Sequence, residues 1–101
     1  MSFPDDLVRR LHAAHAQALQ VGDSPLRADR LADTLPPLAR AAAECEADDD
    51  SKARVGAALA HAERVLRRDD DGREAARHLQ EAIKLTGQVR SRAPSPFLDD
   101  D

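Results

Sequence analysis

Residues 7–25, LVRRLHAAHAQALQVGDSP, predict one helix and the start of the next. Apolar residues recur there at steps of four and three, which places them on one face of a helix. They are Leu7, Leu11, Ala14, Ala18 and Val21. Gly22-Asp23 is typical of a helix end, and Ser24-Pro25 of a helix start, because serine caps free amides and proline suits the first turn. A link this short predicts an antiparallel pair of helices.

The second pass has the same spacing but contains two prolines. Its apolar stripe is Leu31, Leu35, Leu38, Ala42 and Cys45. The stripe keeps its phase across Pro36-Pro37, so one kinked helix is compatible with the pattern. We favour two short helices, at 25–34 and 36–47 along one axis, because Pro37 disfavours helical geometry at Pro36.

Two further passes complete the pattern, at about 52–68 and 73–90. The acidic run 48–51 is expected to cap the third pass, and Asp69-Asp70-Asp71-Gly72 to turn into the fourth. The inward residues are Val55, Leu59, Ala62 and Leu66, then Ala75, Leu79, Ala82, Ile83 and Thr86. No segment alternates with period two, so strands are not expected. The prediction is an all-α, up-down-up-down bundle over residues 1–91 and a flexible acidic tail over 92–101.

Composition narrows the class of protein. A chain of 101 residues is expected to form one domain, and its formal charge of -4 disfavours a nucleic-acid binder. No apolar run approaches the length of about 20 residues that spans a bilayer, and no signal peptide is evident, so we expect a cytoplasmic protein without a membrane role.

Cys45 is the single cysteine, which excludes an intrachain disulfide. Thirteen arginines against two lysines suggest a G+C-rich, bacterial source.

Gly22-Asp23-Ser24, followed by Leu26, resembles the phosphopantetheine attachment motif of acyl carrier proteins. The resemblance would make Ser24 the attachment site and phosphopantetheine the cofactor. Pro25 stands where that motif has leucine, and the long loop that the family places before the serine is missing. We therefore predict that Ser24 is a helix cap and that the protein has no cofactor, with a carrier as the alternative.

The histidines raise the question of a metal site. His12 and His15 are three residues apart on one predicted helix, but no Glu-x-x-His motif accompanies them. All the histidines except His12 fall at the edges of apolar faces, where half-buried imidazoles are ordinary. We predict no metal site, with His12 and His15 as the weak candidates. Without a phosphate-binding loop or a nucleophile elbow, the sequence predicts no enzyme.

A wide apolar face on the first and fourth passes predicts protein association. Beside the main stripes lie Val8, His15 and Leu19 on the first pass, and His78, Leu85 and Val89 on the fourth. They either fill the space between these two helices or bind a partner or a second copy. Either Phe97 folds back over the end of the bundle next to Phe3, or Pro96-Phe97-Leu98-Asp99 forms a docking peptide that includes Leu98. The predicted function is a non-enzymatic accessory or adaptor module; the alternative is a carrier or ligand-binding bundle that uses Ser24 or the histidines.

Overall fold

Four helices and no strands make up the part of the chain that the computed structural model describes, residues 3–90 with side chains in 3–86. They are α1 (Asp5–Leu19), α2 (Pro25–Glu44), α3 (Asp49–Asp69) and α4 (Gly72–Arg90). Short links reverse the chain between successive helices, and α4 returns to pack against α1 as well as α3. The predicted all-α antiparallel bundle is confirmed. The tail predicted for residues 92–101 lies outside the described residues.

The residues of the predicted stripes form the core, except Cys45 and Ile83, which are only half-buried against it. Leu11, Leu59 and Leu79 are completely buried, one on each of three helices, and Phe3 covers one end with only 2% of its surface exposed. Thr86 is also fully buried, and its hydroxyl donates to the Ile83 carbonyl at 2.7 Å. Among residues 3–86, Thr86 is the one buried polar side chain, and this bond satisfies its hydroxyl, which would otherwise destabilise the core.

The second pass is one continuous helix, so our preference for two helices at 25–34 and 36–47 was wrong. Pro36 is half-buried and Pro37 is exposed, and both lie inside α2. The prolines deprive the Ala32 and Asp33 carbonyls of their helical N–H donors. On the opposite side Leu31, Leu35, Leu38 and Ala42 are all buried, and this packing outweighs the two missing bonds.

The side chain of Thr34, just before the two prolines, donates to the Leu31 carbonyl at 2.7 Å. This bond within the turn is of the kind that bends a helix without ending it. The helix ends at Glu44, three residues earlier than predicted, and the thiol of half-buried Cys45 donates to the Ala42 carbonyl at 3.1 Å.

The acidic run before α3 both caps the helix and enters it. Asp48 is the N-cap, and its carboxylate accepts from the Ser51 amide at 2.9 Å. Asp49 and Asp50 occupy the first turn, so α3 begins three residues before the predicted position 52. Negative charge there is favoured by the positive end of the helix dipole.

The turn from α3 to α4 brings the start of α4 very close to the end of α1. Asp70 adopts a left-handed conformation, φ 51°, and the Asp71 carboxylate caps α4 by accepting from the Glu74 amide at 3.1 Å. A Cβ placed on Gly72 would overlap the Ala18 carbonyl oxygen and the Val21 side chain. Because the start of α4 touches the end of α1, the end of α4 lies beside the start of α1.

Candidate functional site: the groove between α1 and α2

An open groove runs between α1 and α2, which make the smallest contact of the four neighbouring helix pairs. The section nearer the start of α1, called the lower section, has a volume of about 120 Å³ and is lined by Arg10, Ala13, Ala14, Gln17, Thr34 and Leu38. The section nearer the end of α1, called the upper section, has a volume of about 290 Å³ and is lined by Gln17, Gln20, Arg27, Arg30, Leu31 and Thr34. Gln17 and Thr34 belong to both sections, so we treat them as one feature, the α1–α2 groove.

The charge of the α1–α2 groove is opposite to that of the whole chain. Arg10, Arg27 and Arg30 line it, no aspartate or glutamate does, and the chain carries a net charge of -4. Arg10 makes a long ion pair with Asp6 at 3.9 Å, outside the groove. The side chain of Arg30 forms no ion pair or hydrogen bond with the residues that the structure describes. The groove therefore presents cationic groups that an anionic ligand can reach.

Arg27 has a structural role in addition to its charge. Its Nη1 donates to the Gln20 carbonyl oxygen at 3.0 Å, which satisfies a carbonyl at the C-terminal end of α1. This bond joins the two helices at the top of the groove. Arg30 and Arg10 are thus the better positions at which to test ligand binding without disturbing the fold.

The floor of the groove is made of small and apolar groups. Leu31 and Leu38 contribute the edges of buried side chains, and Ala14 is also buried. Ala13 is exposed, and its small side chain leaves the lower section open. Gln17 and Thr34 add polar groups where the two sections meet. Such a surface can receive apolar side chains on its floor and carboxylates at its rim.

Two residues of the predicted association surface, Leu19 and His78, lie on different sides of α4. Leu19, which is 60% exposed, borders a depression with Gly72 and Arg73 at the start of α4. His78 instead faces α3, where its ring stacks on that of His61 with 5.3 Å between centroids. A helical wheel shows how wide an apolar face is, but it does not show which helix packs on each side of that face. Leu19 and His78 therefore do not share one surface.

Part of the predicted association surface packs within the bundle. Val8 and Leu85 are half-buried against the core, and His15 is half-buried. The side chain of Val89, together with Phe97 and Leu98, lies outside the described residues. Binding of a partner by these residues stays a prediction.

His61 and His78 stack as a pair, but His12 and His15 do not join them. His12 is exposed and His15 half-buried on α1, whereas His78 lies 3.6 Å from the Glu74 carboxylate on α4. Within the described residues, no three side chains of the metal-binding types converge.

Ser24 lies at the start of α2 as its N-cap. Its hydroxyl accepts from the Arg27 amide at 3.3 Å, and its own amide donates to the Val21 carbonyl at 3.0 Å. The capping role predicted from Ser-Pro is confirmed. Attachment of a phosphopantetheine group to the same hydroxyl stays an untested alternative.

No family model, curated protein or solved structure matches this chain. In residues 3–90, none of the helices has the length and apolar character needed to cross a bilayer.

The α1–α2 groove is the surface feature of the bundle that the sequence analysis did not predict. The signal was present in the sequence as Arg10, Ala13 and Gln17 on the polar edge of α1, at steps of three and four.

Proposed function

We propose that the protein is a non-enzymatic interaction module whose α1–α2 groove binds an acidic segment of a partner protein that also carries large apolar side chains. The observation that supports the proposal is a basic groove with a small, apolar floor on an otherwise acidic chain. We place the module in a bacterial cytoplasm, consistent with arginine-rich composition and a single cysteine.

Charge and apolar contact have different parts in this proposal. Exposed ion pairs contribute about 0–1 kcal/mol each, so three arginines alone would bind a partner weakly. Burial of one large apolar side chain adds about 1.5–3 kcal/mol. The apolar side chains therefore supply most of the affinity, and the arginines select an acidic segment and fix its position.

Site-specific photocrosslinking tests the proposal. A benzophenone amino acid replaces Ala13 in the groove or, as the matched control, Ala57, an exposed alanine on the outer face of α3. We expect crosslinks to a discrete partner from position 13 and none from position 57. The crosslinked peptide, sequenced by mass spectrometry, should contain carboxylates next to large apolar residues.

Charge reversal gives the second arm of this test. Arg30→Glu should lower the crosslinking yield about tenfold, because it removes an attraction to the acidic segment and adds a repulsion. A tenfold change corresponds to about 1.4 kcal/mol of binding free energy. Arg64→Glu, at an exposed position of α3, is the control and should change little. Equal crosslinking from positions 13 and 57, or a crosslinked peptide that is basic, would refute the proposal.

A further inference from the structure

We propose that the partner of the α1–α2 groove is a second copy of this chain, which enters the groove with the surface around its Leu19. This surface, called the Leu19 surface, lies where the end of α1 meets the turn into α4. It contains Leu19, Asp23, Asp69, Asp70, Asp71 and Arg73. The inference rests on the proposed function, because it names the partner of the same groove.

The charges of the Leu19 surface are opposite to those of the groove. Four aspartates and one arginine line this surface, whereas three arginines and no acidic residue line the α1–α2 groove. Asp23, Asp69 and Asp70 form no ion pair within residues 3–86. Their carboxylates are thus available to the arginines of another molecule, which favours contact between the two surfaces.

The two large apolar side chains that are most exposed in the described part of the chain lie one on each side of this contact. They are Leu19 and Leu26, each 60% exposed. Leu26 is four residues before Arg30 on α2, so the two side chains are neighbours on one face of the helix, beside the upper section of the groove. Contact between the Leu19 surface and the groove therefore removes apolar surface of both copies from water.

The positions of the two surfaces on one molecule fit a two-fold dimer. Gln17 in the groove and Leu19 are two residues apart, which separates them by about 200° around α1 and about 3 Å along it. The groove thus lies on the α2 side of α1 and the Leu19 surface on the α4 side, at nearly the same level. A two-fold axis parallel to α1 places the groove of each copy against the Leu19 surface of the other.

The two-fold arrangement strengthens a contact that is weak by itself. Exposed ion pairs and one pair of leucines give little affinity alone. A two-fold dimer makes the same contact twice, and the second contact forms within a complex that already exists. We therefore expect dimers to form at micromolar to millimolar concentrations of the protein.

Sedimentation equilibrium of the purified full chain tests the dimer. Arg30→Glu in the groove and Asp69→Arg in the Leu19 surface should each raise the dimer Kd about 100-fold, from about tenfold at each of the two equivalent contacts. The helix dipole favours a basic side chain at position 69, the last residue of α3, so the Asp69→Arg variant should keep its fold. Circular dichroism checks the helicity of both variants. Arg64→Glu is the matched control and should dimerise like the wild type.

A mixture of the two variants locates the contact. In a dimer of one Arg30→Glu copy and one Asp69→Arg copy, the charges are exchanged at one contact and unchanged at the other, so both contacts are attractive. We expect the mixture to dimerise with a Kd close to that of the wild type, although neither variant does so alone. A mixture that stays monomeric would show that the groove and the Leu19 surface do not meet, and would overturn the inference.

The remaining outcomes separate this inference from the proposed function. The inference is wrong if the wild type is a monomer at millimolar concentration, or if neither charge reversal weakens its dimer. If photocrosslinking from position 13 then still captures another protein, the groove keeps its proposed function. A wild type that neither dimerises nor crosslinks from position 13 refutes the proposed function as well.

Discussion

Substitution of Gly72 by alanine is expected to destabilise the bundle, although alanine is the better helix former. Gly72 is the first residue of α4, and its added Cβ would lie 2.6 Å from the Val21 Cβ and even closer to the Ala18 carbonyl oxygen. The Ala18 carbonyl is backbone and cannot rotate away. The start of α4 would have to move away from α1.

The size of the effect follows from two opposing terms. Replacing glycine by alanine within a helix is worth up to about 1 kcal/mol, and less at a first position. Overpacking of this kind costs about 1–3 kcal/mol. We therefore expect Gly72→Ala to lower the free energy of unfolding by about 1–2 kcal/mol, and the Tm by about 4–16 °C at 4–8 °C per kcal/mol.

Gly56→Ala is the matched control, with the opposite expected sign. Gly56 lies inside α3, and a Cβ there meets nothing within 4 Å. It should stabilise the protein by about 0.5–1 kcal/mol through helix propensity alone. Both variants are measured by urea unfolding followed by circular dichroism at 222 nm, since the chain has no tryptophan or tyrosine. A Gly72→Ala variant as stable as Gly56→Ala would refute the close approach of α4 to α1.

Three further substitutions test local features. Pro37→Ala, on the exposed face of α2, should restore an amide donor to the Asp33 carbonyl and stabilise the protein by about 2 kcal/mol in urea unfolding; a loss of stability would contradict the continuous helix. Hydrogen bonds from the Ser51 amide, and to a smaller extent from the Ser51 hydroxyl, lower the pKa of Asp48 below its ordinary 3.8. The stability that the charge of Asp48 contributes is therefore present above pH 3.8 and is lost as the pH falls through the lowered pKa. Asp48→Ala should accordingly lower the Tm at pH 7, with a difference that narrows in thermal melts below pH 3.8; a constant difference would contradict the charged cap. Intact-mass measurement after incubation with a phosphopantetheinyl transferase should show unmodified wild-type protein, and a mass increase that Ser24→Ala removes would establish the carrier alternative.

The sequence predicts features that depend on nearest neighbours along the helix. The stripe from Leu7 to Val21 and the cap at Ser24 are of this kind, because their periodicity and hydrogen bonds lie within a few residues. The continuity of α2 does not follow from such rules. Burial of Leu35 and Leu38 against other helices outweighs the local cost of Pro36 and Pro37.

The α1–α2 groove depends on the distance between α1 and α2, which the sequence of neither helix determines by itself. The same stripe on α1 is compatible with tight or loose packing against α2. The contact of Gly72 with Ala18 shows that α1 is held closely by α4 at one end. Only the three-dimensional arrangement shows that Ala13 and Arg30 line the same α1–α2 groove. It also shows that His78 faces α3 and not the surface around Leu19.

The order in which the helices are made has a consequence for α1. Its larger contact is with α4, which is synthesised after the other three described helices, and its contact with α2 is the smallest among the four neighbouring helix pairs. At about 5–20 residues per second, the 67 residues from Gln20 to Thr86 take roughly 3–13 s to translate. During that interval the apolar face of α1 lacks its main partner. A nascent chain that stops before α4 therefore exposes Leu7 and Leu11 to whatever chaperone or neighbouring chain reaches them first.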